Sequence, residues 1–143
     1  VIDYLSATMA TRYRFGDNEW PHFVTFSVVE WIDVFSREDY KQILVDSLRY
    51  SIENKGLIVY AWVVMPNHVH LIISARQGNE LSGIIRDVKK FTSRMLIKAI
   101  KDNQRESRKH WMLWLFKSAA AKNINNNENQ FWRQDNQPCR VKN

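Results

Sequence analysis

Apolar and polar side chains alternate from residue 22 to residue 29, with Val24, Phe26 and Val28 on one side and Phe23, Thr25 and Ser27 on the other. That two-residue period predicts a first strand. At Ser36-Arg37-Glu38-Asp39 a capping hydroxyl precedes two acids, and Tyr40, Ile43, Leu44 and Leu48 then recur at helical spacing until Gly56 offers a stop, which predicts a first helix. Residues 57–65 are an unbroken apolar, β-branched and aromatic run, the pattern of a central strand buried on both faces. Pro66-Asn67 interrupts it, and residues 68–74 resume as another strand, making a hairpin or a bend.

From Leu81 onward Ile84, Ile85, Val88, Phe91, Met95 and Ile100 mark one apolar stripe, while Arg86, Lys90 and Arg94 fall four residues apart on another. This predicts a long amphipathic helix with a basic edge. Residues 104–121 read as a further helix carrying Trp111, Trp114, Leu115 and Phe116, residues 123–127 are too polar to pack, and Phe131-Trp132 returns the chain to the body. The order β-α-β-β-α, with that further helix and room for a strand near Phe131, predicts an α+β fold. The expected architecture is a ferredoxin-like sandwich: a central antiparallel sheet carries the His68-Val69-His70 strand, and the helices lie on one face. The chain shows no internal repeat.

With 143 residues, 45% of them hydrophobic, the chain suits one domain over residues 1–143. Cys139 is the single cysteine, so no internal disulfide and no cysteine zinc cluster is available. No apolar run approaches membrane-spanning length and residues 1–14 lack a signal-peptide pattern, so a cytoplasmic protein is expected. Position 1 is valine, and the natural start is expected either upstream or at Met9.

Charge adds an asymmetry. Residues 1–80 carry 7 basic and 10 acidic side chains and residues 81–143 carry 14 and 5, net −3 and +9. The second half is therefore the one suited to a polyanion, although a basic helix edge is equally suited to plain solvation.

The candidate chemistry lies in His68 and His70. On a strand they share one face with Cα atoms roughly 6.6 Å apart, close enough for both imidazoles to reach one ion. Imidazole suits divalent transition metals, and such a site needs carboxylate, amide, water or phosphate oxygens to complete it. The bland alternative is two strand histidines satisfied by water or neighbours. Three hydrolase patterns with similar spacing fail. Metallo-β-lactamase-type enzymes need an Asp and another His just after, where Leu71-Ile72-Ile73 stands; histidine-triad enzymes need a His at Ile72; two-histidine phosphoesterases need a second His-x-Ser/Thr, and His22 and His110 precede Phe23-Val24 and Trp111-Met112.

The stretch Ala61-Trp62-Val63-Val64-Met65 followed by Pro66-Asn67-His68-Val69-His70-Leu71-Ile72 resembles the HUH single-tyrosine transposases, above all the REP-associated and insertion-sequence groups. The likeness extends to Phe23-Val24-Thr25-Phe26-Ser27, to Ile85-Arg86-Asp87-Val88-Lys89-Lys90-Phe91-Thr92 and to Phe131-Trp132. It implies that His68 and His70 are catalytic metal ligands for Mg2+ or Mn2+ at a scissile phosphate. A tyrosine would then form a covalent 5′-phosphotyrosine, transferring a single DNA strand at a hairpin. It also implies a homodimer. The histidines are expected in a solvent-reachable pocket beside the basic helix. Arg86, Lys89, Lys90 and Arg94 would contact DNA phosphates, and Trp111, Trp114 or Trp132 would offer a platform for unstacked bases, although Trp111 and Trp114 are expected as core or dimer contacts sooner than as base stackers. The nucleophile breaks the pattern: the family carries it on a C-terminal helix, and no tyrosine follows Tyr60. Tyr4, Tyr13, Tyr40, Tyr50 and Tyr60 all precede the histidines, and Tyr60 is expected in a buried strand. Either the domain is truncated before the tyrosine helix, or it is an inactive single-stranded or hairpin DNA-binding relic. Gln130 and Gln134 are not assigned, and the third metal ligand stays open.

Overall fold

A computed structural model describes residues 17–123, 128–134 and 139–141. Tyr4, Tyr13, Met9 and residues 124–127 of the expected polar loop lie outside them. Strand β1 spans His22–Ser27, helix α1 Glu38–Asn54, β2 Leu57–Val64, β3 His68–Ala75, α2 Leu81–Asp102, α3 Lys109–Ala121 and β4 Cys139–Arg140. The strands form one antiparallel sheet in the order β2-β3-β1-β4. This is the expected α+β, ferredoxin-like arrangement. Val24, Phe26, Val69, Leu71 and Ile73 belong to the same buried cluster as Tyr40 and Leu44 of α1 and Ile84, Val88 and Leu96 of α2, so the helices cover one face. No helix among the described residues is long and apolar enough to cross a membrane.

Three local expectations are corrected. The run at residues 57–65 is not buried on both faces: among the described residues β2 is the end strand of the sheet, with Tyr60 and Trp62 more than half exposed at 53% and 58%. A bulge also interrupts it. Val59 pairs with Ile73 and Ala61 with Ile72, leaving Tyr60 as the extra residue. Ser36 does not cap α1, because its hydroxyl donates to Asp33 O at 2.8 Å and the helix begins at Glu38 without a side-chain cap. The buried stripe of α2 runs through Leu81, Ile84, Val88, Thr92, Leu96, Ile97 and Ile100, while Phe91 and Met95 face outward. Trp111 and Trp114 of α3 are exposed, so of their two expected roles, core or dimer contact, the core one does not hold. Gly56 does end α1, at φ 76, where a Cβ would meet Asn79 Nδ2 at 2.5 Å.

Two anchors join the layers. Trp132 is buried, and its Nε1–H donates to Thr92 Oγ1 on α2 at 3.0 Å; its ring lies against Phe26 and Phe35. Glu106, between α2 and α3, is the second. Its fully buried carboxylate accepts from Arg108 Nε at 2.9 Å and from Tyr40 Oη at 3.1 Å. Arg37 Nε stands 2.7 Å from it in ion-pair contact, off the line of a hydrogen bond. Arg108 continues to Asp33 at 2.6 Å. One carboxylate thus ties together the start of α1, the turn before it and the entry to α3.

Burial alone would raise the Glu106 pKa, but Arg108 and the Tyr40 hydroxyl override it and hold the group at about 2, against 4.5 when unfolded. A depressed carboxyl pKa stabilises the fold fully above 4.5 and loses that contribution as pH falls toward 2, on the order of 3 kcal/mol. Glu106→Gln leaves two arginines facing a neutral amide, so urea unfolding at pH 7 should show a loss of about 3 kcal/mol or more. The difference from wild type should shrink between pH 4.5 and 2; a pH-independent difference would contradict this account.

Candidate metal and nucleic-acid site

The histidine pair is built by β3 and its two neighbours. Val69, Leu71 and Ile73 point into the core, which turns His68 and His70 to the opposite face of the sheet. The register sets Ser27 opposite His68 and Thr25 opposite His70 on one side, and Val63 opposite His70 on the other. The β2–β3 turn is closed by Met65 N–H donating to His68 O at 2.8 Å. It is held from outside by Phe35 N–H on Pro66 O at 2.8 Å and Val28 N–H on Asn67 O at 3.0 Å. Asn67 is therefore fixed beside the first histidine.

Both rings are half-buried, with centroids 4.6 Å apart and planes at 72°. His68 Nδ1 lies 2.7 Å from Asn67 Oδ1 and His70 Nδ1 lies 2.9 Å from Thr25 Oγ1. An amide oxygen only accepts, so the neutral His68 ring would donate through Nδ1 and leave Nε2 without a proton. Thr25 can accept in the same sense from His70. Each ring is thus arranged as metal-binding imidazoles are, with one nitrogen engaged by a neighbour and the other left for an ion. Phe23 stacks on His70 at 5.2 Å, and Trp31 stands nearly perpendicular to His68 with centroids 6.5 Å apart. Burial first, then the charge of neighbouring His68, lowers the His70 pKa below its ordinary 6.5. That keeps the ring neutral and able to ligate near neutral pH.

Among the described residues no group of three or more His, Cys, Asp or Glu side chains could hold a metal. The pair fits a divalent ion only if water, amide or phosphate oxygens complete the shell. Gln130 is not spare, since its Nε2 donates to Trp132 O at 3.1 Å and its Oε1 accepts from Asn123 at 3.2 Å. Among the described tyrosines, Tyr40 is buried against Glu106, Tyr50 lies on α1, and Tyr60 bonds Ser74 Oγ at 2.9 Å. Ser74 is beyond Ile72 and away from His70 along the same strand. His22 is buried on the core side and bonds Trp20 O.

Arg86, Lys89, Lys90 and Arg94 line a single groove of about 1030 Å³ between α2 and residues 128–134. Val24 and Phe26 line it too, which puts it on the helix side of the sheet, so the basic edge and the histidines do not share one pocket. Lys89 turns inward, donating to Arg133 O at 3.0 Å and lying over the Phe26 ring at 5.6 Å. Arg86, Lys90 and Arg94 are exposed or half-exposed along the groove. The two surfaces meet at Arg133, which lines the groove and whose guanidinium lies 5.0 Å over Trp31 beside His68. Nothing in the sequence pattern singled out Trp31, Thr25 or Asn67 as site residues. The position of Asn67 next to the histidine and the place of Thr25 in the strand alternation were the available signals.

The family profile described as "Transposase IS200 like" matches residues 20–119. The chain belongs to the IS200-like transposase family. That stretch contains β1, the histidine strand and the basic helix. Among solved structures, the chain is similar to a REP-associated tyrosine transposase bound to a REP hairpin, at 17% identity and a TM-score of 0.57. It is also similar to a candidate transposase from Deinococcus radiodurans R1, at 17% identity and a TM-score of 0.54. These likenesses cover 94% and 92% of this chain. The chain spans 64% of the first structure and 87% of the second. No curated protein sequence matches it.

In the metal-free protein, a nitrogen-detected NMR titration should find His70 protonating below pH 6.5. Thr25→Val should leave the fold intact and weaken Mn2+ binding, measured calorimetrically, by about 10-fold or more. Unchanged affinity would mean that the Thr25 contact does not orient the ring.

Proposed function

We propose that this transposase-family chain binds a DNA hairpin with a single-stranded flank and serves metal-dependent cleavage and transfer of that single strand. The observation that carries the reading is the pair of imidazoles on one sheet face, each pinned through Nδ1 and each leaving Nε2 for an ion. A neighbour of the same fold is described as bound to a REP hairpin, which favours a hairpin as the partner. Two imidazoles fit Mn2+ better than the more oxygen-seeking Mg2+.

His68 and His70 hold the site, Asn67 and Thr25 keep the rings aimed, and Arg86, Lys90 and Arg94 neutralise stem phosphates in the groove. Lys89 supports the groove wall from within. A bound divalent ion would polarise the phosphoryl oxygen and stabilise the departing 3′ oxygen. In the cleavage step a tyrosine phenolate oxygen would bond to phosphorus as the P–O3′ bond breaks, and the released 3′ oxygen would take up a proton. In the transfer step a 3′ hydroxyl oxygen would lose its proton and bond to that phosphorus as the P–O bond to tyrosine breaks. Beside the pair, no tyrosine stands among the described residues. That observation favours a second reading, in which the chain binds the hairpin without cutting it. A homodimer belongs to the same proposal. Strand β2 is an uncharged sheet edge with Tyr60, Trp62 and Val63 exposed, a surface able to pair with a second copy.

An internally labelled hairpin carrying a single-stranded flank decides between these readings. With Mn2+ the enzyme reading expects nicking and a covalent protein–DNA adduct, both lost in His68→Ala and His70→Ala while the gel shift persists. A shift without nicking leaves the binding reading, and no shift sinks both. Arg86→Ala, Lys90→Ala or Arg94→Ala should each weaken binding and reduce the salt slope by about one. Sedimentation should give twice the monomer mass.

A further inference from the structure

The turn between β1 and α1 holds two adjacent residues in the left-handed region, Glu30 at φ 54 and Trp31 at φ 53. Neither is glycine, and a bulky side chain enters this region only where its surroundings force it. Here they do. Val29 N–H donates to Phe131 O at 2.9 Å, Trp31 N–H to Val28 O at 3.2 Å and Ile32 N–H to Val29 O at 3.3 Å. Val29 and Ile32 are buried on either side. The outcome of this constrained turn is that Trp31 is turned out of the core, 53% exposed, next to His68. Strain held at a prospective reaction site points toward a role there rather than toward packing.

The surroundings of the ring have a definite chemistry. Arg133 stands over it at 5.0 Å, anchored by its own N–H to Ser27 O at 2.8 Å. Beside the ring is a hollow of about 300 Å³ whose lining includes Glu30, Trp31, Ala119, Lys122 and Arg133. With Arg133 over one face of the ring and Lys122 lining the hollow beside it, the other aromatic face can receive an unstacked nucleobase and the cations its phosphates. The Glu30 carboxylate adds an acceptor for a base amino group. We propose that Trp31 is a nucleobase platform, stacking one unpaired base of the strand whose phosphate lies at His68 and His70. The proposal rests on the DNA-hairpin reading above and adds a positioning residue to it. Phosphates are held in the α2 groove, and Trp31 sets which nucleotide reaches the histidines.

Fluorescence anisotropy in EDTA, with hairpins of identical stem that either carry a four-nucleotide single-stranded flank or end blunt, tests this. Wild type should prefer the flanked hairpin, and Trp31→Ala should lose about 10-fold or more on it with no change on the blunt one. Trp31→Phe should retain most of the preference. One abasic position in the flank should reproduce the loss in wild type and add nothing in Trp31→Ala. If wild type prefers the flank and Trp31→Ala keeps that preference, the platform is wrong while the hairpin reading stands. Equal losses on both hairpins would make Trp31 a structural residue and overturn the proposal. Wild type binding neither hairpin would overturn both readings.

Discussion

The pleat of β3 is the constraint on which this molecule rests. One strand supplies Val69, Leu71 and Ile73 to the core and His68 and His70 to the opposite surface, and its register is locked by β1 on one side and β2 on the other. A slip of one residue would exchange the two sets, burying imidazoles and exposing the apolar wall. Core packing and the placement of the candidate ligands are therefore one requirement. The hydrogen bonds that close the Pro66-Asn67 turn serve both, since they fix the register and seat the amide that orients His68.

The helical side is organised by two polar contacts rather than by apolar area alone. Trp132 reaches Thr92 and brings residues 131–133 alongside the end of β1, where Val28 and Trp132 form a bridge. Glu106 gathers Arg37, Tyr40 and Arg108 from segments far apart in sequence. By anchoring Arg133 the first contact connects the basic groove on one face of the sheet with the aromatic and histidine residues on the other.

Much of this was legible in the sequence. The alternation of residues 22–29, the helical spacing after Tyr40, the break at Pro66-Asn67 and the long basic helix all correspond to elements in place. What periodicity could not convey was strand order. An apolar run such as residues 57–65 has the same pattern at the centre of a sheet or at an exposed edge, so Tyr60 and Trp62 were expected inside. Phe91 and Met95 were misplaced for a related reason: hydrophobicity was taken to mean burial, whereas the buried face of α2 includes Thr92, held by Trp132. The separation of the groove from the histidines depends on which face the helices cover. Ser36 failed as a cap because a nearby carbonyl competed for its hydroxyl. The role suggested for Trp31 depends on backbone dihedrals that no residue-type pattern in the turn announces.

The bulge in β2 carries a consequence for chain length. Val59 and Ala61 already oppose consecutive residues of β3, Ile73 and Ile72, so the ladder is continuous on either side of Tyr60. A strand facing a packed core ordinarily resists losing a residue, because everything beyond the gap would rotate to the wrong face. At this one position the rotation is already built in. Relatives lacking a residue equivalent to Tyr60 would keep every remaining partner and surrender only the local bend and the Ser74 contact, which makes the edge strand a natural place for this fold to vary in length.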